Sequence, residues 1–152
     1  ISASKNTRLN VRNPHATRPW QHALEPLSGY LSIGQMLLME KKEFSDAWNF
    51  GPSYLEDITV EALIHKANRF WSQIDYEKTF DGNAPHESAH LRLDCSKAHH
   101  LLEWRSVWSI EATVERTVKW YRAFYENNEI LTNSDLEVYV ADAKAIGLTW
   151  AQ

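Results

Sequence analysis

The fold of this chain is decided by residues 8–38, which read RLNVRNPHATRPWQHALEPLSGYLSIGQMLL. The first five residues of the stretch alternate polar with apolar side chains, a pattern that predicts a strand, and an Asn-Pro turn ends it. A second short extended segment is predicted over residues 17–21. The rest of the stretch carries leucines at helical spacing, and Glu25 and Pro26 suit the first turn of a helix. The stretch therefore predicts strand, extended segment and helix in that order.

Four further helices are predicted downstream, each from a capping residue followed by an amphipathic run. Their N-terminal signals are Thr59, Asp94, Ser109 and the capping box Ser134-Asp135-Leu136-Glu137. We expect Gly147 to end the last helix, because glycine readily adopts the left-handed conformation found there. Residues 47–50 read as one more short, apolar strand. The sum of these elements predicts a mostly helical α+β fold.

Composition places the chain among globular proteins. It has 152 residues, of which 43% are hydrophobic and 24% charged, so we expect one domain over residues 1–152. The net charge is −4 without a Lys/Arg cluster, which argues against nucleic acid as a partner. No apolar run reaches the length of a membrane span, and the polar residues 2–6 do not match a signal peptide. The single Cys95 cannot form an internal disulfide, so we expect a reducing, cytoplasmic compartment.

The predicted strands are too few to form a sheet of their own. Short, separated strands do not make a sheet with a buried centre, so we expect some of them to pair with sequence outside this chain. The chain also begins at Ile1 and enters strand-like sequence almost at once. We therefore expect it to be a piece of a longer protein.

Residues 11–31, VRNPHATRPWQHALEPLSGYL, resemble the signature of the CDP-glucose 4,6-dehydratases, a family of extended short-chain dehydrogenases/reductases that act on nucleotide sugars. Later segments resemble the same family in the same order, and together they extend the resemblance over most of residues 8–125. These segments are 47–52, 85–87, 93–98, 102–104 and 117–121. The resemblance implies that the chain is the carboxyl-terminal, substrate-binding domain of such an enzyme, without the Rossmann domain.

Three positions depart from the pattern that the resemblance implies. Glu103 stands where the family usually has glycine, in a Leu-Gly-Trp run, and Ser106 stands where it has proline. Related nucleotide-sugar epimerases carry an arginine at the place of Ala84, so one of their phosphate contacts is not carried over. The first two departures put local loop geometry in doubt.

Five residues are candidates for binding a nucleotide sugar. By resemblance, Arg18 takes the place of an arginine that meets the diphosphate, and a guanidinium can bind a pyrophosphate with two parallel hydrogen bonds. Glu87 takes the place of an acid that accepts hydrogen bonds from ribose hydroxyls. Trp20 either walls the phosphate or base pocket or anchors the core, and Asn49 and Tyr54 are weaker candidates for lining the same cleft. For Arg18 the alternative is a surface arginine, for Glu87 a solvated loop carboxylate, and for Asn49 a partner of backbone groups beside a turn.

No residue of the chain is assigned a catalytic step. The five glycines form no glycine-rich turn of the kind that holds a dinucleotide, and no tyrosine is followed four residues later by lysine. In the enzymes that the chain resembles, bound NAD oxidises the glucose C4 hydroxyl, water leaves across C5 and C6, and the hydride returns to C6. The resemblance therefore implies an NAD-dependent lyase of deoxysugar biosynthesis as the parent, and no cofactor in this chain, which by itself would be inactive.

The implied partners are CDP-glucose or a related nucleotide sugar and the missing dinucleotide-binding domain. We expect the surface that would face that domain to be exposed and apolar, which leaves homo-oligomer formation open. Two alternatives remain. One is a stand-alone, non-catalytic sugar-nucleotide or interaction module. The other is a zinc hydrolase, because His86-Glu87-Ser88-Ala89-His90 matches H-E-x-x-H, although the flanking sequence leaves little room for the helix that this motif requires. No metal ligand is assigned.

Overall fold

The computed structural model describes residues 1–53, 57–79 and 88–152. About half of the chain is helical, and the described part contains one small sheet of two parallel strands, so the predicted α+β class with mostly helical content is confirmed. The described elements are β1 Leu9–Val11, α1 Leu24–Leu38, α2 Val60–Asn68, β2 Tyr76–Lys78, α3 Ser96–Leu101, α4 Ile110–Asn127 and α5 Thr132–Ala145. Short 3₁₀ turns lie at Ala3–Lys5, Lys42–Phe44 and Thr149–Ala151. None of the described helices has the length and apolar character that a membrane crossing needs.

The first predicted strand is confirmed as β1, but its partner lies within the chain. It pairs in parallel with β2, with Leu9 opposite Tyr76 and Val11 opposite Lys78. The expectation that some strands of the chain pair with outside sequence stays a prediction, because this pairing occupies only one edge of each strand. Strand β2 was not predicted, because three residues reading Tyr-Glu-Lys carry no apolar alternation. Backbone hydrogen bonds to β1 define it, and these leave no mark in the side-chain pattern.

Two predicted extended segments are not strands. Residues 47–50 have no strand partner in the described part of the chain. Their apolar side chains serve packing, because Phe50 is buried against the Trp104 ring, with 4.9 Å between ring centroids, and Trp48 is partly buried beside the same cluster. In residues 17–21 only Thr17 forms bridges, antiparallel with Thr59 and parallel with His90. In these segments the apolar residues therefore indicate burial of their side chains and do not indicate pairing in a strand.

The predicted N-terminal caps are confirmed for two helices, and a third lies one residue from its predicted position. Thr59 and Ser109 each accept a hydrogen bond from the amide three residues on, at 3.1 and 3.3 Å, and so begin α2 and α4. At α3 the residue before the helix is Cys95, and the Asp94 carboxylate accepts a hydrogen bond from the Ser96 amide at 2.9 Å. The predicted cap is therefore displaced by one residue but still satisfies an amide of the first turn.

The predicted start of α5 is wrong. The helix begins at Thr132, so the proposed capping serine, Ser134, already lies inside it and donates to the carbonyl three residues back at 2.9 Å. Asp135 is buried inside the first turn, where it accepts a hydrogen bond from Arg116 at 3.2 Å. A tertiary ion pair therefore explains this acidic residue, which local capping does not. The predicted end is confirmed, because Gly147 has φ +79° directly after the helix.

The described part of the chain has two apolar cores. One lies between α2 and α4 and consists of Ala3, Ile58, Trp71, Ile110, Val114 and Val118. The other lies beside α1 and α3 and consists of Phe50, Ala98, Leu102 and Trp104. The side chains that complete them come from loops as well as helices, so helix periodicity accounts for only part of each core.

A buried carboxylate at the start of α1 joins the helices. Glu25 is 1% exposed and accepts hydrogen bonds from the Val107 and Trp108 amides, at 2.9 and 2.8 Å. Its Oε2 also lies 2.8 Å from the hydroxyl of Tyr139 on α5. Because Ser28 accepts from the Trp104 indole at 2.9 Å, the same turn of α1 is tied to the second core.

We expect Glu25 to make the free energy of unfolding fall as pH rises. Burial is the largest influence on this group and raises the pKa of Glu25 above its ordinary value of 4.5. The folded chain therefore binds this proton more tightly than the unfolded chain, and the stabilisation is complete below pH 4.5 and is lost as pH rises through the raised pKa. Urea unfolding at a series of pH values measures it. Glu25→Gln cannot ionise and should lack this component, at about 1.4 kcal/mol for each unit by which the pKa is raised. Parallel profiles for the two proteins would contradict the assignment.

The glycines of α1 give a matched pair for stability. A Cβ on Gly29 would lie 2.4 Å from the Phe50 ring, whereas a Cβ on Gly34 would meet nothing within 4 Å. We expect Gly29→Ala to destabilise the fold by about 1–3 kcal/mol through overpacking. Gly34→Ala should stabilise it by about 0.5–1 kcal/mol, because alanine loses less backbone entropy in a helix. Urea unfolding of both variants tests this, and equal effects would be inconsistent with the packing at Phe50.

Candidate functional site

The site is organised around Thr17, which holds three segments together. Its backbone bridges Thr59 and His90, and its amide donates to the Ala89 carbonyl at 2.8 Å. Its side chain is buried, with Oγ1 3.2 Å from His90 Nδ1. Residues that are distant in sequence therefore meet at one threonine, and the residue after it is the predicted diphosphate ligand.

Arg18 lies against the start of the segment that contains His90. Its Nη1 donates to the Thr17 carbonyl at 2.7 Å and to the Ser88 carbonyl at 3.1 Å, which joins positions 70 residues apart in sequence. Glu87 immediately precedes Ser88 in the chain but lies outside the described residues, as does Tyr54. The structure thus brings Arg18 to the segment that follows Glu87.

A surface ion pair joins the segment that contains Thr59 to the segment that contains His90. Arg92 forms a two-pronged ion pair with Asp57, in which Nε lies 2.8 Å from Oδ1. The hydrogen bond from Arg92 holds the pKa of the Asp57 carboxyl below its usual value. Both side chains are exposed enough for water to screen the pair, so its role here is to align segments, with little effect on overall stability.

The extended backbone predicted over residues 17–21, which would place the side chains of Arg18 and Trp20 on one face, is wrong. The Trp20 amide donates to the Arg18 carbonyl at 2.9 Å, and so tight a turn is incompatible with an extended strand. The indole donates to the Ile58 carbonyl at 2.9 Å and packs against the core between α2 and α4. This is the geometry of a core anchor placed directly beside the candidate site.

Asn49 makes a contact with the backbone near α3. Its side chain is exposed and its amide donates to the Asp94 carbonyl at 3.1 Å. That contact matches the alternative in which Asn49 satisfies a backbone group next to a turn. It also holds residue 49 at the N-terminal end of α3.

The histidine motif and the cysteine give no support to other chemistry. Residues 88–90 of the motif are not helical, and His86 and Glu87 lie outside the described residues. Within residues 1–53, 57–79 and 88–152 no group of three His, Cys, Asp or Glu side chains is arranged to hold a metal. Cys95 is buried, and desolvation raises the pKa of its thiol, which disfavours the nucleophilic thiolate.

Both departures from the family pattern that lie in the described residues have a local explanation. Glu103 has φ +52°, in the left-handed region that glycine adopts most easily, and this is the position where the family usually has glycine. The Ser106 amide donates to Ser53 Oγ at 3.3 Å, and the two hydroxyls lie 2.9 Å apart. Proline at this position has no amide to donate. Both departures therefore fall in the loop between α3 and α4.

Two surface features complete the description. The outer side of α1 exposes large apolar side chains, with Tyr30 60%, Leu31 76% and Leu38 88% exposed. That such a surface faces the missing dinucleotide-binding domain stays a prediction. A groove of about 480 Å³ lies between the start of α1, α4 and α5. Sequence analysis missed it because its walls come from three separate segments and no motif marks them.

The anchoring contact of Trp20 can be tested through stability. Trp20→Phe keeps an aromatic ring in the core but removes the donor to the Ile58 carbonyl, and an unpaired buried acceptor costs about 1–3 kcal/mol. We expect a loss of stability in this range by urea unfolding. Trp48→Phe is the comparison for the same change in stability, because the Trp48 indole also donates to a backbone carbonyl, that of Phe44, beside the other core. A Trp20→Phe protein as stable as the parent would remove the anchoring role.

Comparison with known proteins supports the family resemblance that the sequence predicted. No protein-family model matches the chain. The CDP-glucose 4,6-dehydratase of Salmonella typhimurium is 42% identical to it over 138 residues, which cover 90% of this chain. The chain spans only 38% of the length of that relative. The resemblance predicted from the sequence is thereby confirmed: the chain is similar to the carboxyl-terminal part of a CDP-glucose 4,6-dehydratase.

Proposed function

We propose that this chain is the nucleotide-sugar-binding portion of a CDP-glucose 4,6-dehydratase, the substrate-binding domain of an extended short-chain dehydrogenase/reductase. The observation that carries the proposal is the hydrogen bond from Arg18 to the Ser88 carbonyl. It joins the arginine expected to meet the diphosphate with the segment that follows the acid expected to meet the ribose. The 42% identity to the Salmonella enzyme supports the same assignment.

In this proposal Arg18 binds the diphosphate of the nucleotide sugar and Glu87 accepts hydrogen bonds from the ribose. A guanidinium remains protonated at any physiological pH and forms charge-assisted hydrogen bonds to phosphate oxygens. The bridges from Thr17 to Thr59 and His90 hold the arginine in position before the ligand arrives. Little conformational entropy is then lost on binding.

Trp20, Asn49 and Tyr54 are proposed to shape the same cleft. The indole of Trp20 is anchored to the Ile58 carbonyl, so its ring can fix the backbone of Arg18 while its exposed part walls the site. Asn49 is exposed beside α3, where its side chain can exchange its backbone partner for a ligand. These roles are secondary to that of Arg18.

The described residues do not fit a dinucleotide. Gly29 and Gly34 lie within α1, Gly51 lies against Cys95, and Gly147 ends α5, so none of them stands at a strand-to-helix turn. We therefore propose that NAD is held by another part of the parent enzyme. That enzyme would convert CDP-glucose into CDP-4-keto-6-deoxyglucose, while this chain holds the substrate and is inactive alone.

Replacing Arg18 should weaken binding of CDP to the chain. Charge-assisted hydrogen bonds contribute about 1.5–3 kcal/mol, so Arg18→Gln should lower the affinity roughly ten- to a hundredfold. Isothermal titration calorimetry with CDP and CDP-glucose measures the change. Far-ultraviolet circular dichroism checks that the variant is folded, because Arg18 also contacts Ser88.

The matched control is Arg8→Gln. Arg8 is an exposed arginine paired with Asp75, so it has the same charge and lies near β1. We expect its loss to leave CDP affinity within about twofold, since surface ion pairs contribute little. Equal affinity of the folded Arg18→Gln and Arg8→Gln proteins for CDP would refute the diphosphate assignment.

A further inference from the structure

The groove between the start of α1, α4 and α5 has the features of a second small-molecule site. Its volume of about 480 Å³ falls in the range of ligand pockets. Its lining is mostly apolar, with a few polar groups, and comprises Gln21, His22, Ala23, Leu24, Leu27, Thr117, Trp120, Tyr121, Thr132 and Asp135. None of the candidate residues for binding CDP-glucose that the structure describes is in this set.

One wall is a preorganised aromatic surface. The Trp120 ring is stacked on Phe124, with 5.6 Å between centroids and 19° between planes, and Tyr121 meets it edge-on at 5.1 Å. The indole donates to Thr132 Oγ1 at 3.0 Å, which fixes the ring to the first turn of α5. Because one face of Trp120 is occupied by Phe124, a flat ligand would stack on the other.

The floor of the groove presents a neutral hydrogen-bond donor. His22 Nδ1 accepts from the Leu24 amide at 3.3 Å, so in the neutral imidazole the proton sits on Nε2. Burial lowers the pKa of His22, which favours this neutral form, and Asp135 opposes the shift while Arg116 adds to it. The ring is held edge-on against Trp108 at 4.7 Å.

Two acceptors complete the polar edge. Asp135 is only 5% exposed, and its Oδ1 accepts from Arg116 at 3.2 Å, so the carboxylate is fixed and its charge is balanced. The Gln21 amide donates to the Phe50 carbonyl at 2.9 Å. That contact orients the other end of the amide, Oε1, which is buried and has no hydrogen-bond partner among the described residues.

We propose that this groove binds an uncharged heteroaromatic ring of the nucleobase class. The ring stacks on Trp120, an N–H or amino group donates to Asp135 or Gln21, and a ring nitrogen or carbonyl accepts from His22 Nε2. The lining itself contains no Lys or Arg, and the Arg116 guanidinium that contacts it is already paired with the Asp135 carboxylate, so the described residues offer a phosphate group no unpaired cation here. The ligand of this groove therefore needs no phosphate, unlike the ligand proposed for Arg18.

The direct test is an NMR titration of the ¹⁵N-indole-labelled chain with 1-methylcytosine, a flat base without sugar or phosphate. We expect the Trp120 indole resonance to shift saturably, and its absence from the spectrum of Trp120→Phe identifies it. Trp120→Ala lacks this resonance, so its affinity is measured by isothermal titration calorimetry. It should be about tenfold weaker, because loss of base stacking on an aromatic side chain has roughly this effect. Trp48→Ala, which removes an indole stacked on Phe44 in the other core, should leave the affinity unchanged.

Two further probes separate stacking from edge recognition. 1,3-Dimethyluracil is equally flat but has no N–H donor, so it should bind several-fold more weakly than 1-methylcytosine. Methyl glucoside offers hydroxyl groups without an aromatic face and should produce no saturable shift. The proposal is overturned if 1-methylcytosine gives no saturable shift at Trp120 in the parent protein, or if either probe matches its affinity.

The outcome is independent of the proposed function. Arg18→Gln should leave the 1-methylcytosine titration unchanged while weakening CDP, and His22→Phe should do the reverse. If Arg18→Gln lost the binding of both CDP and 1-methylcytosine, the base would bind in the Arg18 cleft. That result would overturn the groove as a separate site.

Discussion

The Glu25 carboxylate is the interaction on which the arrangement of helices depends. A carboxylate that is 1% exposed would be costly to bury without partners, and it accepts hydrogen bonds from two successive loop amides and from the hydroxyl of Tyr139. These contacts join α1, α5 and the loop before α4 at one point. Burial raises the pKa of Glu25 in spite of these hydrogen bonds, so we expect the junction to be most stable when the group carries a proton.

Both candidate binding surfaces flank the same irregular segment, residues 17–23. Its first part carries Arg18 towards the segment that begins at Ser88, and its last part supplies His22 to the groove beside α4 and α5. Trp20 lies between them and anchors the segment to the Ile58 carbonyl. Hydrogen bonds to loops, and not a sheet, thus position both surfaces. The chain can therefore form both surfaces although its described part contains only a two-stranded sheet.

The departures from the family pattern are absorbed locally. The left-handed backbone at Glu103 keeps the turn that glycine would make, and the hydrogen bonds between Ser53 and Ser106 use an amide that proline would lack. Trp104, between these positions, stays buried and donates to Ser28. Both substituted positions thus lie in the loop that carries Trp104 into the core.

The sequence by itself determined α1, α2 and α4, the caps at Thr59 and Ser109, and the family resemblance. These depend on contacts within a few residues of the chain, which periodicity and capping motifs report directly. Tertiary structure alone decided the pairing of β1 with β2, the early start of α5 around the buried Asp135, and the groove beside Trp120. It also brought Arg18 to Ser88, because that hydrogen bond joins the Arg18 guanidinium to a backbone carbonyl 70 residues away in sequence. Every residue has the same backbone carbonyl, so no pattern of side chains could predict which carbonyl the arginine would contact.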